Sequence, residues 1–185
     1  MSEKKPRKIL EYSVECPVCG RRLKVEEYLY DMPLVGKVII SSGKCENCGY
    51  KWSDVRLAEV KGPRKIVVEV EEPNDVNALV VRSSTASILI PELGVEITPG
   101  PASLGYITTI EGVLLDILDK IDFLCREGEA PRETCEEKKD LVEKARNAEI
   151  PFTFILVDPE GTSTIVSDKA KIIPLDEKEE RREEK

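Results

Sequence analysis

Apolar residues recur along this chain with two different periods, and the change of period marks its organisation. Residues 23–30 and 37–42 are strand-like runs separated by Asp31, Met32, Pro33 and Gly36, a turn composition that predicts a β-ribbon. Tyr50 and Trp52 alternate with polar neighbours in a third candidate strand. After Lys61-Gly62-Pro63 the period of two returns: Ile66, Val68 and Val70 share one face, and residues 78–82, 86–90 and 95–98 read as further strands. Glu72-Pro73-Asn74-Asp75 and Pro99-Gly100-Pro101 punctuate them. From Thr109 the spacing becomes helical, with Ile110, Val113, Leu114, Ile117, Leu118 and Ile121 forming one stripe. Thr108 followed by Glu111 reads as the capping box that opens this helix. A second helix is expected over 131–148, with Leu141, Val142 and Ala145 on a sparse apolar face. Residues 152–157 return to a strand, Asp158-Pro159-Glu160-Gly161 is a turn, and residues 162–167 are its expected hairpin partner.

The fold class that follows is mainly β, of the α+β type, with a helical hairpin insertion. Residues 1–11 read as a flexible basic lead, 12–60 as a small ribbon, and 61–175 as a β domain interrupted by a helical hairpin at about 108–149. The segment 176–185, DEKEERREEK, reads as a charged, disordered tail. A chain of 185 residues has room for a small unit beside a medium domain. Trp52, the one tryptophan, is expected to supply the ribbon's thin core.

A core that thin needs a staple, and the cysteines supply it. Cys16 and Cys19 in C-P-V-C-G, and Cys45 and Cys48 in C-E-N-C-G, are two C-x-x-C pairs separated by 25 residues. Each pair can turn two thiolates toward one ion, and four sulfurs complete a tetrahedral structural site. One structural Zn²⁺ is the expected cofactor. Iron in a similar four-sulfur site and a thioredoxin-type redox pair are the less favoured alternatives. Cys125 and Cys135 flank the loop of the helical hairpin, and the sequence leaves open whether they pair or remain free thiols.

Composition narrows the chemistry. The chain has no histidine, which excludes Ser-His-Asp and Cys-His nucleophile systems, H-E-x-x-H hydrolases and two-His-one-carboxylate iron sites. There is no G-x-x-x-x-G-K-[ST] phosphate loop, and the 36 acidic residues fall in no catalytic spacing, so the default expectation is a non-enzyme. Glutamine is absent too and 35% of residues are charged, a composition that suits a hot environment. No 18-residue apolar run and no apolar leader are present, and a reducing, cytoplasmic setting without membrane contact is expected. Residues 1–65 carry 14 basic against 9 acidic residues, a net of +5, which leaves −13 for the remainder of a chain with net charge −8. The basic residues Arg21, Arg22, Lys24, Lys37 and Lys51 are spread along the sequence, which makes nucleic acid the second choice of partner.

Several motifs occur in one order: C-P-V-C-G, D-M-P-L-V-G-K-V-I-I-S-S, C-E-N-C-G-Y, V-R-S-S-T-A-S-I-L-I-P-E-L, T-T-I-E-G and F-T-F-I-L-V-D-P-E-G-T-S. Over residues 14–167 this order resembles the ZPR-type zinc-finger domain family. The resemblance implies a zinc ribbon like that of translation initiation factor two. It further implies a double-stranded β-helix domain carrying a helical hairpin insertion. Eukaryotic members carry the module twice and are associated with binding translation elongation factor one-alpha and assisting its folding, and they are linked to growth-factor receptor kinases and nuclear traffic. Single-copy members occur in archaea. The partner implied for this single module is an elongation factor one-alpha type GTPase, with Arg82, Ser84, Glu92 and Thr109 as contact candidates because they stand in the family-like motifs.

Overall fold

The computed structural model describes residues 5–129 and 131–175. Its first four strands are β1 (Arg7–Glu15), β2 (Arg22–Met32), β3 (Gly36–Lys44) and β4 (Lys51–Leu57), an antiparallel sheet in which each strand pairs with the next in sequence. The register aligns Tyr12, Val25, Gly43 and Trp52 across one face. Gly43 keeps that face closely packed, since a Cβ there would stand 3.1 Å from the Lys24 carbonyl oxygen. On the opposite face Val38, Val55 and Leu57 are buried.

The basic lead expected over 1–11 is corrected by β1. Residues 7–11 are not a free segment but the first half of an edge strand paired to β2, with a bulge at Ile9. Leu10, Tyr12 and Val14 alternate with polar residues, with Ile9 at the bulge, and supply a strand pattern that the charges around them obscured. All nine residues of β1 remain exposed. The expected tail at 176–185 lies outside the described residues.

The β domain contains β5 (Arg64–Val70), β6 (Leu79–Arg82), β7 (Ser87–Ile90), β8 (Val95–Ile97), β9 (Tyr106–Thr109), β10 (Phe152–Asp158), β11 (Thr164–Val166) and β12 (Lys171–Pro174). Five of them form a sheet in the order β12-β5-β10-β7-β8, and three form a second in the order β11-β6-β9. The chain passes repeatedly from one sheet to the other, as a jelly roll does. Ile66, Val68, Val70, Ile88, Ile90, Phe154 and Leu156 fill the space between them, each 1% exposed or less. The expected hairpin between 152–157 and 162–167 does not form. Both edges of β10 are already occupied, by β5 and by β7, and β11 pairs with β6 in the other sheet.

Between β9 and β10 stand α1 (Ile110–Arg126) and α2 (Arg132–Arg146). Ile110, Val113, Leu114 and Ile117 of α1 are buried against the β core, with Val142 and Ala145 of α2. Cys125 and Cys135 are joined in a disulfide that ties the two helices beside their loop. The expected capping box is corrected by one position: Thr108 lies in β9 opposite Val80, and Thr109 is the cap, its Oγ1 accepting from the Gly112 amide at 3.0 Å. β9 runs directly into the helix, and Thr109, the last rung of the ladder opposite Leu79, stands in the capping position. Thr109→Ala is expected to cost about 1 kcal/mol in chemical denaturation, with Thr109→Ser retaining most of it. Among the described residues no helix is long and apolar enough to cross a membrane.

Candidate metal centre

The two C-x-x-C segments fold into the same turn. The Gly20 amide donates to the Cys16 carbonyl at 2.8 Å and the Cys16 amide to the Arg21 carbonyl at 2.7 Å. In the second segment Gly49 donates to Cys45 at 2.9 Å and Cys45 to Tyr50 at 2.8 Å. Gly20 and Gly49 adopt φ of +65° and +76°, a conformation that costs glycine nothing and lets the chain reverse directly after each second cysteine. One turn precedes β2 and the other precedes β4, so the sheet brings them together at one end.

There the four sulfurs converge within 4.8 Å of one another, with Cys16–Cys48 and Cys19–Cys45 each at 3.6 Å. A tetrahedral ion with bonds of about 2.3 Å to sulfur spaces its ligands about 3.8 Å apart, so the donor set fits zinc without rearrangement. The Cys19 thiol is lowered to about 6, first by the backbone hydrogen bond from Arg21. Cys48 is pushed up to about 12: its backbone hydrogen bond from Tyr50 is outweighed by burial and by the neighbouring sulfurs. Four thiolates in one place need a positive charge to balance them, and a divalent ion supplies it. Cys16 and Cys45 are buried, and Leu23, Val25, Tyr50 and Trp52 pack against the sulfurs.

Residues 8–61 match the ZPR1 zinc-finger domain, and residues 74–184 match the ZPR1 jelly-roll domain. The chain belongs to the ZPR1 family. It is 36% identical over 170 residues to a ZPR1-like protein of Methanocaldococcus jannaschii, covering 90% of this chain and 86% of that one. It is 37% identical over 190 residues to a ZPR1-like protein of Pyrococcus horikoshii, covering 97% of this chain and 84% of that one. The zinc finger chaperone of Schizosaccharomyces pombe is 32% identical over 162 residues, and there 83% of this chain spans only 35% of the longer protein. Within the ZPR1 family the four-cysteine cluster is a zinc site, which decides the metal in favour of one structural Zn²⁺.

Of the four contact candidates Arg82 is buried, Ser84 and Thr109 are half-buried and Glu92 is exposed. Arg82 is buried, reaching Ser103 and the Leu104 carbonyl. Ser84 is half-buried in the β6–β7 connection. The Glu92 carboxylate accepts from the Thr153 amide at 3.0 Å and its hydroxyl at 2.8 Å, tying the β7–β8 connection to β10. These bonds hold the Glu92 carboxyl below its ordinary range, although burial pushes the other way. Thr109 caps α1.

What the family-like motifs build together is the junction between ribbon and β domain. The V-R-S-S and D-P-E-G-T-S segments meet where the Ser83 amide donates to Ser163 Oγ at 3.0 Å, and Ser163 Oγ donates to Ser83 Oγ at 2.9 Å. Asp158 Oδ2 accepts the Ser163 amide at 2.6 Å, and Arg64 Nη2 donates to the Ser163 carbonyl. The same loop reaches the ribbon, since the Leu57 amide donates to the Thr162 carbonyl at 2.8 Å and the Lys61 amide to the Gly161 carbonyl at 2.9 Å. A second tie joins the Gly105 amide to Asp54 Oδ1 at 2.6 Å. Between the ties, Val38, Val55 and Leu57 of the ribbon bury Val81 of β6. In the sequence D-P-E-G has the composition of a turn; the run of small polar residues directly after an apolar strand is the signal for its part in this junction.

Proposed function

We propose that this chain is a zinc-stapled protein-binding factor that engages an elongation factor one-alpha type GTPase and assists its folding, and that it is not itself a catalyst. The observation that carries the reading is the saturated four-thiolate site in a chain aligned along most of its length with a relative named as a zinc finger chaperone. A closed zinc shell offers no position for a substrate, so the ion's contribution is to hold a surface. That surface includes β1, an edge strand with one side unpaired among the described residues that exposes Ile9, Leu10, Tyr12 and Val14, and such an edge is suited to pairing with another chain. The cytoplasm is where such a client is made.

One arrangement favours nucleic acid as a second reading. Cross-strand register places Lys24, Lys44 and Lys51 in a row at the metal end, although they are scattered in sequence. Lys24 is already paired with Glu11 and Glu26, at 3.1 and 3.3 Å, which lowers the charge that row can present. Affinity capture from native extract, with and without a zinc chelator, separates the readings. Recovery of an elongation factor that is lost on chelation is the expected result, with no GTP hydrolysis by the purified chain alone. Nuclease-sensitive nucleic acid without the factor would sink the protein-binding reading.

A further inference from the structure

Arg82 is 3% exposed, yet no carboxylate pairs with it among the described residues. Its Nη1 reaches Ser103 Oγ at 3.3 Å and the Leu104 carbonyl at 3.4 Å, and its Nη2 reaches Ser103 Oγ at 3.3 Å. The guanidinium carbon stands 5.3 Å from the centre of the Tyr106 ring. A guanidinium has five N–H groups, so these three contacts leave two without an acceptor, and Nε is fully buried with none. The other buried arginine, Arg64, at least has an acidic cross-strand neighbour, Asp158, although its Nε is likewise without a hydrogen-bond partner. A buried cation without a counter-charge is costly, and the ring face and three long hydrogen bonds offset only part of that cost.

The Arg82 side chain lines a cleft of about 780 Å³ between α1 and the segment 97–106. Ile97, Val113 and Tyr106 line its inner wall. Phe123 and Leu124 form an outer lip and stand 56% and 47% exposed. A largely apolar cleft of this size with a buried guanidinium in its wall has the make-up of a ligand site. We propose that this cleft binds a monocarboxylate with an apolar body, the carboxylate on the Arg82 guanidinium and the hydrocarbon against Phe123 and Leu124. The wall contributed by α1 also carries Asp116 and Asp119, with Lys120 beside them. The two carboxylates outnumber Lys120, and their repulsion grows with the charge on a ligand, so a phosphate or a polyanion is disfavoured more than a single carboxylate. A free organic acid and the C-terminal carboxylate of a peptide present the same group. This site stands apart from the elongation-factor reading and does not depend on it.

The test is a titration of the zinc-loaded, ¹⁵N-labelled full chain with four probes. These are octanoate, octanamide, the peptide acetyl-Gly-Gly-Phe-Leu with a free C-terminus, and the same peptide amidated. Saturable amide shifts confined to 97–106 and 113–124 are expected for an acid, with the matching amide at least about tenfold weaker, as a charge-assisted hydrogen bond requires. Octanoate alone would assign a free acid, the peptide acid alone a chain terminus, and both together the shared chemistry. Arg82→Gln should abolish the preference for acid over amide. Should that variant fail to fold, the double substitution Phe123→Ala and Leu124→Ala, at exposed positions, should weaken binding in a folded protein. Equal affinity for acid and amide, or no saturable shift with either acid, would overturn the proposal.

Discussion

Stripping the zinc from this protein is expected to unfold the metal end of the ribbon while the β domain stays folded. Among the described residues the cluster around the sulfurs contains only Leu23 and Val25 as buried residues besides Cys16 and Cys45, with Tyr50 and Trp52 partly covered. So few apolar side chains cannot offset the entropy of ordering two knuckles. Zinc in comparable small sites contributes about 10–16 kcal/mol, which makes the ion the dominant local stabiliser. The jelly roll has its own core of nineteen buried residues and no share in the metal. Trp52 is the only tryptophan and belongs to the ribbon, so its fluorescence reads the ribbon alone. Chelation should shift Trp52 emission to the red, while backbone amides of β5, β7 and β10 keep their positions in an NMR spectrum. Cys45→Ser, at a fully buried ligand, should act as chelation does. An unchanged Trp52 signal after verified zinc removal would show that packing, and not the ion, holds the ribbon.

Gly161→Ala is expected to be the most damaging single change away from the metal. Gly161 has φ of +69°, and a Cβ built on it would collide with the backbone N and O of Gly62 and lie 2.7 Å from its carbonyl carbon. No flexible side chain is available there to move aside. The left-handed conformation costs about 1–2 kcal/mol for an L-residue, and relieving an overpacked contact costs about 1–3 more. A loss of about 3 kcal/mol in global stability should appear in denaturant titration. The hydrogen bonds from Lys61 and Leu57 sit on the same loop, so the ribbon should also gain independent motion, seen as faster amide exchange at both residues. Wild-type stability and unchanged exchange would mean that the two backbones separate freely.

The sequence made the metal ligands and the helical stripe readable because both are local signals. Two C-x-x-C pairs followed by glycine state their geometry within five residues, and Ile110, Val113, Leu114 and Ile117 are buried where a period of 3.6 puts them. Strand pairing is not local. Nothing in residues 152–167 reveals that β10 is flanked by β5 and β7, so the adjacent strand looked like its hairpin partner. The first strand was hidden for a different reason, since Arg7 and Lys8 at its start gave a charged reading to a segment in which Leu10, Tyr12 and Val14 alternate with polar residues. Arg82 and Glu92 were picked out from motifs, and their intramolecular partners Ser103 and Thr153 lie 21 and 61 residues away.

The hydrogen bond from Leu57 to Thr162 spans more than a hundred residues of chain, whereas every strand pairing in the ribbon joins neighbours in sequence. Synthesis on a ribosome runs from the first residue, so the knuckles can close on their ion once β4 has emerged, long before the jelly roll exists. For most of its production the ribbon is then an autonomous, metal-loaded unit on a tether. Its Val38, Val55 and Leu57 surface stays open until β6 and then the 158–163 loop arrive to cover it. The supply of zinc during translation would therefore govern how much of the newborn chain avoids misassembly.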